Sequence, residues 1–316
     1  MTAGAPTVVF VLGMSRSGTS AMARVVSLCG AALPSGLIGG MPANPLGFWE
    51  PRRTWNLNRA ILRRHGSAWA DPTLRLQERP FTAKQMARYI SRAQAFFDTL
   101  PDDPLVVIKD LQITALPDIW FEAARRAGYD IAVLIALRHP QEVIDSHRVM
   151  MKERHASPEL IASNWLKYTL LAERQTRHLR RVVVDYGNLL KNWRREMERI
   201  SAALNVEFSP DSEAIDGYLR EGERHHCYEG PMPQPFGMDW MATTYRTLHR
   251  AANDDPWSTD DLDRVFGGYR ASEHTFRIAV GSFERMEKGN LLMSPVLTRI
   301  ALEGMAITHR RRGAWA

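Results

Sequence analysis

The sequence contains little cysteine and no long apolar run, and both features narrow the class of protein. Among 316 residues the cysteines are Cys29 and Cys227, too far apart for metal-ligand spacing, so we expect free thiols in a reducing compartment. No stretch approaches the ~18 apolar residues of a membrane span, and the first residues lack the basic segment of a signal peptide. The sequence predicts a cytoplasmic protein without a membrane span, for which peripheral membrane contact remains an option.

The composition is otherwise that of an ordinary globular protein. Hydrophobic residues make up 45% and charged residues 24% of the chain, enough to build a buried core. The net charge of +6 suits anionic ligands, but nucleic-acid-binding proteins have the same balance. The net charge alone therefore does not show which class of anionic ligand the protein binds.

The most informative stretch is a strand, a glycine loop and a helix in succession. Thr7–Leu12 has the apolar pattern of a buried strand, Gly13 to Gly18 forms a tight loop, and a helix follows. Backbone N–H groups of such a loop bind anions, aided by the helix N-terminus. The two glycines have P-loop spacing, but Thr19-Ser20 replaces the expected Lys-[Ser/Thr], and Arg16 is the cation instead. No second acidic strand end suited to holding Mg²⁺ is evident either, so the pattern predicts an anion site without a metal.

Strands and helices then alternate as far as residue 205 or so. Further strands are predicted at 105–108, 131–137 and 181–185, with helical patterns between them. This order predicts an α/β protein, a three-layer α/β/α fold with a mainly parallel, doubly wound sheet. We expect a single domain over 1–316, with the nucleotide-binding core in 1–205 and a mainly helical extension in 206–316.

Two of these strands end in cations. Lys109 follows the second strand and Arg138 the third, at the edge of an α/β sheet where ligands bind. Ser146 lies two turns into the helix that Pro140 opens, on a face that Arg138 could share. A guanidinium fork and a hydroxyl would together suit a bound phosphate.

A glycine- and proline-rich loop, residues 34–51, carries a candidate general base. Glu50 is flanked by Phe48, Trp49 and Pro51, which would shield the carboxyl from water if the loop packs down. A glutamate exposed on a loop is the alternative. We expect this loop to close over a substrate.

Three motifs in this order resemble the sulfotransferases that use 3′-phosphoadenosine 5′-phosphosulfate (PAPS), in particular their bacterial branch. Ser15-Arg16-Ser17-Gly18-Thr19-Ser20 is similar to the family's 5′-phosphosulfate loop. Arg138 and Ser146, eight residues apart, resemble its 3′-phosphate motif. The segment from Asp185 to Leu190, with Tyr186, resembles its adenosine-contacting segment. The resemblance covers about residues 7–205.

The resemblance implies a P-loop-like fold and a set of functional residues. The donor PAPS would be bound, without a metal, by a set of loop and strand-end residues: Gly13, Ser15, Arg16, Ser17, Gly18, Thr19, Ser20, Arg138, Ser146 and Tyr186. Glu50, Arg16 and Lys109 would be catalytic, with a small-molecule, carbohydrate or glycolipid acceptor and no nucleic acid as partner.

The chain also departs from the family pattern. Leu111 stands where many members have a catalytic histidine, which leaves Glu50 as the base, because Asp110 is expected to turn away from the anion. The family's C-terminal Arg-Lys-Gly element is not visible, although Arg224-His225-His226 could replace it. A P-loop kinase with a degenerate loop, or a non-catalytic nucleotide- or RNA-binding module, is the alternative function.

Overall fold

A computed structural model describes residues 5–40, 44–78, 81–150, 156–221, 228, 230–289 and 295–311. Its centre is a sheet of parallel strands, β1 (Thr7–Leu12), β2 (Leu105–Lys109), β3 (Asp130–Leu137) and β4 (Arg180–Asp185), in the order β2-β1-β3-β4. All the pairings are parallel, with Val9 opposite both Val107 and Ala132. The predicted mainly parallel α/β fold is confirmed.

The helices connect and cover these strands. They are α1 (Thr19–Leu28), α2 (Arg52–Arg64), α3 (Arg75–Glu78), α4 (Ala83–Phe97), α5 (Pro117–Arg126), α6 (Pro140–Met150), α7 (Pro158–Arg174), α8 (Tyr186–Lys191), α9 (Trp193–Leu204), α10 (Ser212–Glu221), α11 (Trp240–Ala252), α12 (Asp260–Gly289) and α13 (Pro295–Arg311). A 3₁₀ helix spans Leu111–Ala115. Within the described ranges no helix is long and apolar enough to cross a membrane.

The sheet is buried on both faces. Side chains such as Val9 and Val11 point to one face and pack in a core with α1, α9 and α10. Phe10 points to the other face and meets Phe121 of α5 with ring centroids 5.4 Å apart. Because strand side chains alternate between faces, an all-apolar β1 requires helices on both sides.

The chain divides into two compact units, Met1–Phe266 and Gly267–Ala316. The first contains the sheet and continues well past residue 205, and the second is helical where it is described. The expected division into a core of 1–205 and an extension of 206–316 stays a prediction. Cys29 is a buried free thiol, and Cys227 lies outside the described residues.

Two differences from the sequence-based expectations concern the region after β4. The helical pattern of the sequence over 189–204 is divided between two helices, because Asn192 leaves helical geometry and its side chain accepts a hydrogen bond from the Arg195 N–H to start α9. Helix α10 is not predicted from the sequence pattern. It buries Ile215 and Leu219 on the core of α1, a tertiary contact that stabilises an otherwise polar segment.

Candidate functional site

Parallel register brings the predicted phosphate-binding residues to one edge of the sheet. Val11 of β1 is opposite Lys109, and Leu137 of β3 is opposite Asp185. The glycine loop, Lys109, Arg138 and Tyr186 therefore all follow the carboxyl ends of neighbouring strands. This edge is where α/β folds bind ligands.

The glycine loop has the backbone of an anion cradle. Gly13, Arg16 and Gly18 have positive φ angles of 126°, 67° and 87°. Arg16 is the residue of these three that is not a glycine. A residue with a side chain at positive φ costs of order 1–3 kcal/mol and persists where the surrounding structure imposes that conformation. The Gly13 N–H donates to the Thr114 hydroxyl at 3.2 Å, which ties the loop to the 3₁₀ helix after β2.

Two further features of the loop fit an anion. The Ser17 hydroxyl is buried, with a side chain 1% exposed, and has no hydrogen-bond partner among the described residues. Helix α1 starts at Thr19 with neither a side-chain cap nor an acidic residue in its first turn, as far as the chain is described. An unpaired buried hydroxyl costs free energy that a ligand oxygen would recover, and an uncapped helix N-terminus attracts negative charge.

Tyr186 holds the loop against the third strand end. A Cβ atom on Gly18 would lie 2.4 Å from Cδ2 of the Tyr186 ring. The guanidinium of Arg138 lies over the same ring, 5.0 Å from its centroid. One tyrosine thus packs against both the predicted 5′ loop and the predicted 3′-phosphate arginine.

The cations of the two predicted phosphate motifs are neighbours. Arg16 donates from Nε to Ser146 Oγ at 2.9 Å, and Arg138 donates from Nη1 to the Arg16 carbonyl at 3.1 Å. Burial, and then the Arg138 guanidinium, lower the pKa of Arg16. Two neighbouring guanidinium groups repel each other, an unfavourable arrangement that a bound polyanion would relieve.

Arg138 is only partly free to bind a phosphate. Its Nε donates to Glu142 Oε2 at 2.8 Å, and Glu142 is fully buried on α6. From the sequence alone, the guanidinium of Arg138 is expected to be available to a phosphate, without Glu142 as a partner. The i,i+4 spacing of the two residues is a signal that could have found it.

Sequence analysis also misses His147. This fully buried residue on α6 forms a hydrogen bond to the Val143 carbonyl through Nδ1 (2.9 Å), and its Nε2 lies 2.8 Å from Ser15 Oγ. Because Nδ1 faces a carbonyl it carries the proton, so Nε2 accepts from the Ser15 hydroxyl. Burial foremost, followed by Arg16, lowers the pKa of His147 to about 4.

Glu50 and Lys109 form a buried ion pair. Lys109 Nζ lies 2.5 Å from Glu50 Oε1, and the lysine and glutamate are 3% and 8% exposed. Lys109 also donates to the Phe48 carbonyl at 3.3 Å, and the Ser20 hydroxyl donates to the same carbonyl at 3.2 Å. The Phe48 carbonyl therefore links the ion pair to the first turn of α1.

The loop that carries Glu50 is anchored by backbone hydrogen bonds. Ile38 N–H donates to the Glu50 carbonyl at 2.8 Å, and Arg52 N–H donates to the Gly36 carbonyl at 3.0 Å. Trp49 has a φ of 57°, which turns the chain just before Glu50. These contacts place Glu50 against Lys109, and closure of the loop over a substrate stays a prediction.

Tyr228, in the C-terminal part of the first unit, contacts Glu142 and His139. Its N–H donates to Glu142 Oε1 at 3.2 Å, and its ring packs 5.1 Å from that of His139. The candidate cations Arg224-His225-His226 lie outside the described residues. In the described part of the chain no group of three or more His, Cys, Asp or Glu side chains could hold a metal ion.

No protein-family model and no curated protein matches this chain. Among solved structures it is similar to a sulfotransferase domain from the curacin biosynthetic pathway, with 18% identity, a TM-score of 0.42, and coverage of 84% of this chain and 98% of that one. The sulfotransferase domain of the Synechococcus PCC 7002 olefin synthase has 18% identity, a TM-score of 0.40, and coverage of 79% and 97%.

Sulfotransferase STF9 from Mycobacterium avium has 13% identity, a TM-score of 0.41, and coverage of 86% of this chain and 77% of that one. At these identities and TM-scores the similarity does not assign a reaction to the chain.

Proposed function

We propose that this protein is a sulfotransferase that moves the sulfuryl group of PAPS to a hydroxyl group of a glycan, a glycolipid or another small molecule. The products would be a sulfate ester and adenosine 3′,5′-bisphosphate. The observation that carries the proposal is the meeting of Arg16 and Arg138 at an anion-cradling loop. A donor with phosphates at both ends of its ribose fits paired cations better than a single phosphate does.

The residues present fit such a donor. The loop from Gly13 to Thr19 would hold its 5′-phosphosulfate through backbone N–H groups, Arg16 and the unpartnered Ser17 hydroxyl. Arg138 and Ser146 would hold the 3′-phosphate, for which Ser146 must exchange its contact with Arg16 for the ligand. Tyr186 would contact the adenosine portion.

When bound, the donor supplies the group to be transferred, and the protein contributes charge and position. Sulfuryl transfer resembles phosphoryl transfer, in which catalysis is mainly orientation and electrostatic stabilisation. Arg16 and Lys109 would stabilise negative charge on the transferred group and the leaving oxygen. Glu50 would accept the proton of the acceptor hydroxyl while the hydroxyl oxygen forms its bond to sulfur.

The absence of a P-loop lysine supports this donor over ATP. A triphosphate on a P-loop is held by that lysine together with Mg²⁺, and here Thr19 and Ser20 follow Gly18.

Two measurements test the proposal, the binding of nucleotide ligands and the transfer of the sulfuryl group. Adenosine 3′,5′-bisphosphate should raise the melting temperature of the protein more than ATP with Mg²⁺ or RNA does, because a ligand that binds the native state stabilises it. With ³⁵S-labelled PAPS and a panel of glycans, glycolipids and phenols, labelled sulfate esters should form in the presence of EDTA. Stabilisation by ATP with Mg²⁺ alone would favour a kinase, and stabilisation by RNA alone a binding module.

A further inference from the structure

Asp110 lies beside the Glu50–Lys109 ion pair and is one of the most deeply buried charged residues of the site, with a side chain 1% exposed. Its Oδ2 accepts from Asn58 Nδ2 at 2.9 Å, and its Oδ1 accepts from the Gln112 N–H at 2.9 Å. Asn58 is itself oriented by Trp120, which donates to Asn58 Oδ1 at 2.7 Å. Asp110 is thus fixed in place, turned away from solvent.

The elements that hold Asp110 are those that hold Glu50. Helix α2 begins two residues after Glu50 and carries both Thr54 and Asn58. The Thr54 hydroxyl donates to the Pro51 carbonyl at 2.9 Å, and Thr54 also neighbours Asp110. Asp110 follows Lys109 directly and is held by Asn58 of α2, so the start of this helix and the end of β2 bring Glu50, Lys109 and Asp110 into one buried region.

The charges of this cluster do not balance. Lys109 contributes one positive charge, and Glu50 and Asp110 contribute two negative charges in a region from which water is largely excluded. A buried group of residues with an excess negative charge tends to bind a proton. Lys109 Nζ lies 2.5 Å from Glu50 Oε1 and offsets one of the two negative charges.

We propose that Glu50, Lys109 and Asp110 act as a single proton-accepting cluster, in which Asp110 is a positioning residue whose charge keeps Glu50 able to accept the proton of the acceptor. This inference rests on the proposed function. As the acceptor oxygen bonds to sulfur and the bond to the donor's bridging oxygen breaks, the acceptor's proton passes to Glu50. The net charge of the cluster then changes from −1 to zero.

The electrostatics of Asp110 agree with this assignment. Burial, and next the charge of Glu50, raise the pKa of Asp110 to about 6, against the hydrogen bonds from Gln112, Thr54 and Asn58. Tyr168 faces the same region, where burial and the charges of Asp71 and Asp110 raise its pKa, so its phenol stays protonated. Asp110 is therefore the carboxylate of this cluster whose pKa is raised toward neutral pH.

Two substitutions should shift the titration in opposite directions. Asp110→Asn removes the extra negative charge, so the acidic limb of the kcat/KM profile should move to lower pH and the plateau should fall by roughly tenfold because Glu50 becomes a weaker base. Asn58→Ala removes a hydrogen bond that favours ionised Asp110, so the acidic limb should move to higher pH. A role limited to folding would not give shifts of opposite sign.

Infrared difference spectroscopy tests the cluster without relying on activity. In the ligand-free protein a buried carboxyl should lose its proton near pH 6, and this signal should disappear in Asp110→Asn and move to higher pH in Asn58→Ala. Glu196→Gln is the matched control, because it removes another buried carboxylate, held on α9 by Arg199, and should leave the signal in place.

The outcomes separate this inference from the proposed function. A wild-type protein that transfers sulfate but shows no buried carboxyl titrating near pH 6 would overturn the cluster. The cluster would also be overturned if Asp110→Asn and Asn58→Ala shifted the titration to the same side of the wild-type pH. If no transfer occurs but the carboxyl titrates and shifts as described, the cluster stands and the sulfotransferase assignment fails.

Discussion

The packing of Gly18 against Tyr186 makes Gly18→Ala the most direct test of the site's geometry. Gly18 has a φ of 87°, and an added Cβ would lie 2.4 Å from Cδ2 and 2.7 Å from Cγ of Tyr186. Both the loop and the ring must move to relieve such contacts. Because Arg138 stacks on the same ring, the disturbance should reach the predicted 3′-phosphate site.

The loss of stability in Gly18→Ala has two causes, and a second glycine, Gly128, provides a control for one of them. A side chain in the left-handed region costs ~1–2 kcal/mol, and forcing a methyl group into a packed contact costs another ~1–3 kcal/mol. Gly128 has nearly the same φ, 83°, but among the described residues no atom beyond its chain neighbours lies within 4 Å of an added Cβ. Gly128→Ala should therefore show the backbone cost alone, and Gly18→Ala should be less stable by the additional ~1–3 kcal/mol.

Denaturant unfolding and titration calorimetry measure both consequences. We expect Gly18→Ala to weaken binding of adenosine 3′,5′-bisphosphate by roughly tenfold or more, about 1.4 kcal/mol, while Gly128→Ala binds it like the wild type. If the two variants unfold equally easily and both bind the ligand normally, Tyr186 does not pack on the loop as described and our account of the site is wrong.

Three other substitutions test separate parts of the site. Arg138→Ala should weaken adenosine 3′,5′-bisphosphate far more than adenosine 5′-phosphate in calorimetry, and equal weakening would remove it from the 3′-phosphate site. Glu50→Gln should lower kcat by ~10²-fold or more with donor affinity unchanged, and a near-normal kcat at saturation would leave the base unidentified. Burial holds the pKa of His147 near 4, below its unfolded value of ~6.5, so the folded protein loses stability as pH falls between these values, by ~3 kcal/mol. His147→Gln should lose less over that interval in unfolding experiments, and a parallel loss would contradict a buried neutral histidine.

Several features of the fold and site follow from the sequence because they depend on local chemistry. The apolar run of β1, the two glycines of positive φ and the helix after them are adjacent residues, and β-propensity, glycine's freedom and helix periodicity act over such distances. The cations Lys109 and Arg138 are found from sequence for the same reason, since Lys109 ends one apolar strand and Arg138 directly follows another.

The ion pairs and contacts around those residues could not be predicted in the same way. His147 lies 132 positions from Ser15 in the chain, and Lys109 lies 59 positions from Glu50, so each contact depends on how elements pack. Helix α10 likewise buries Ile215 and Leu219 in the core that α1 shares, a contact between segments far apart in the chain.

The sequence by itself therefore determined the order of strands and helices, the glycine loop and the strand ends that carry charge. The tertiary structure alone decided which charges meet: Arg16 with Arg138, and Lys109 with Glu50 beside Asp110. The physical reason is that backbone preferences act between neighbouring residues, whereas electrostatic energy depends on distance and burial, which exist only once the parallel register has brought the four strand ends together.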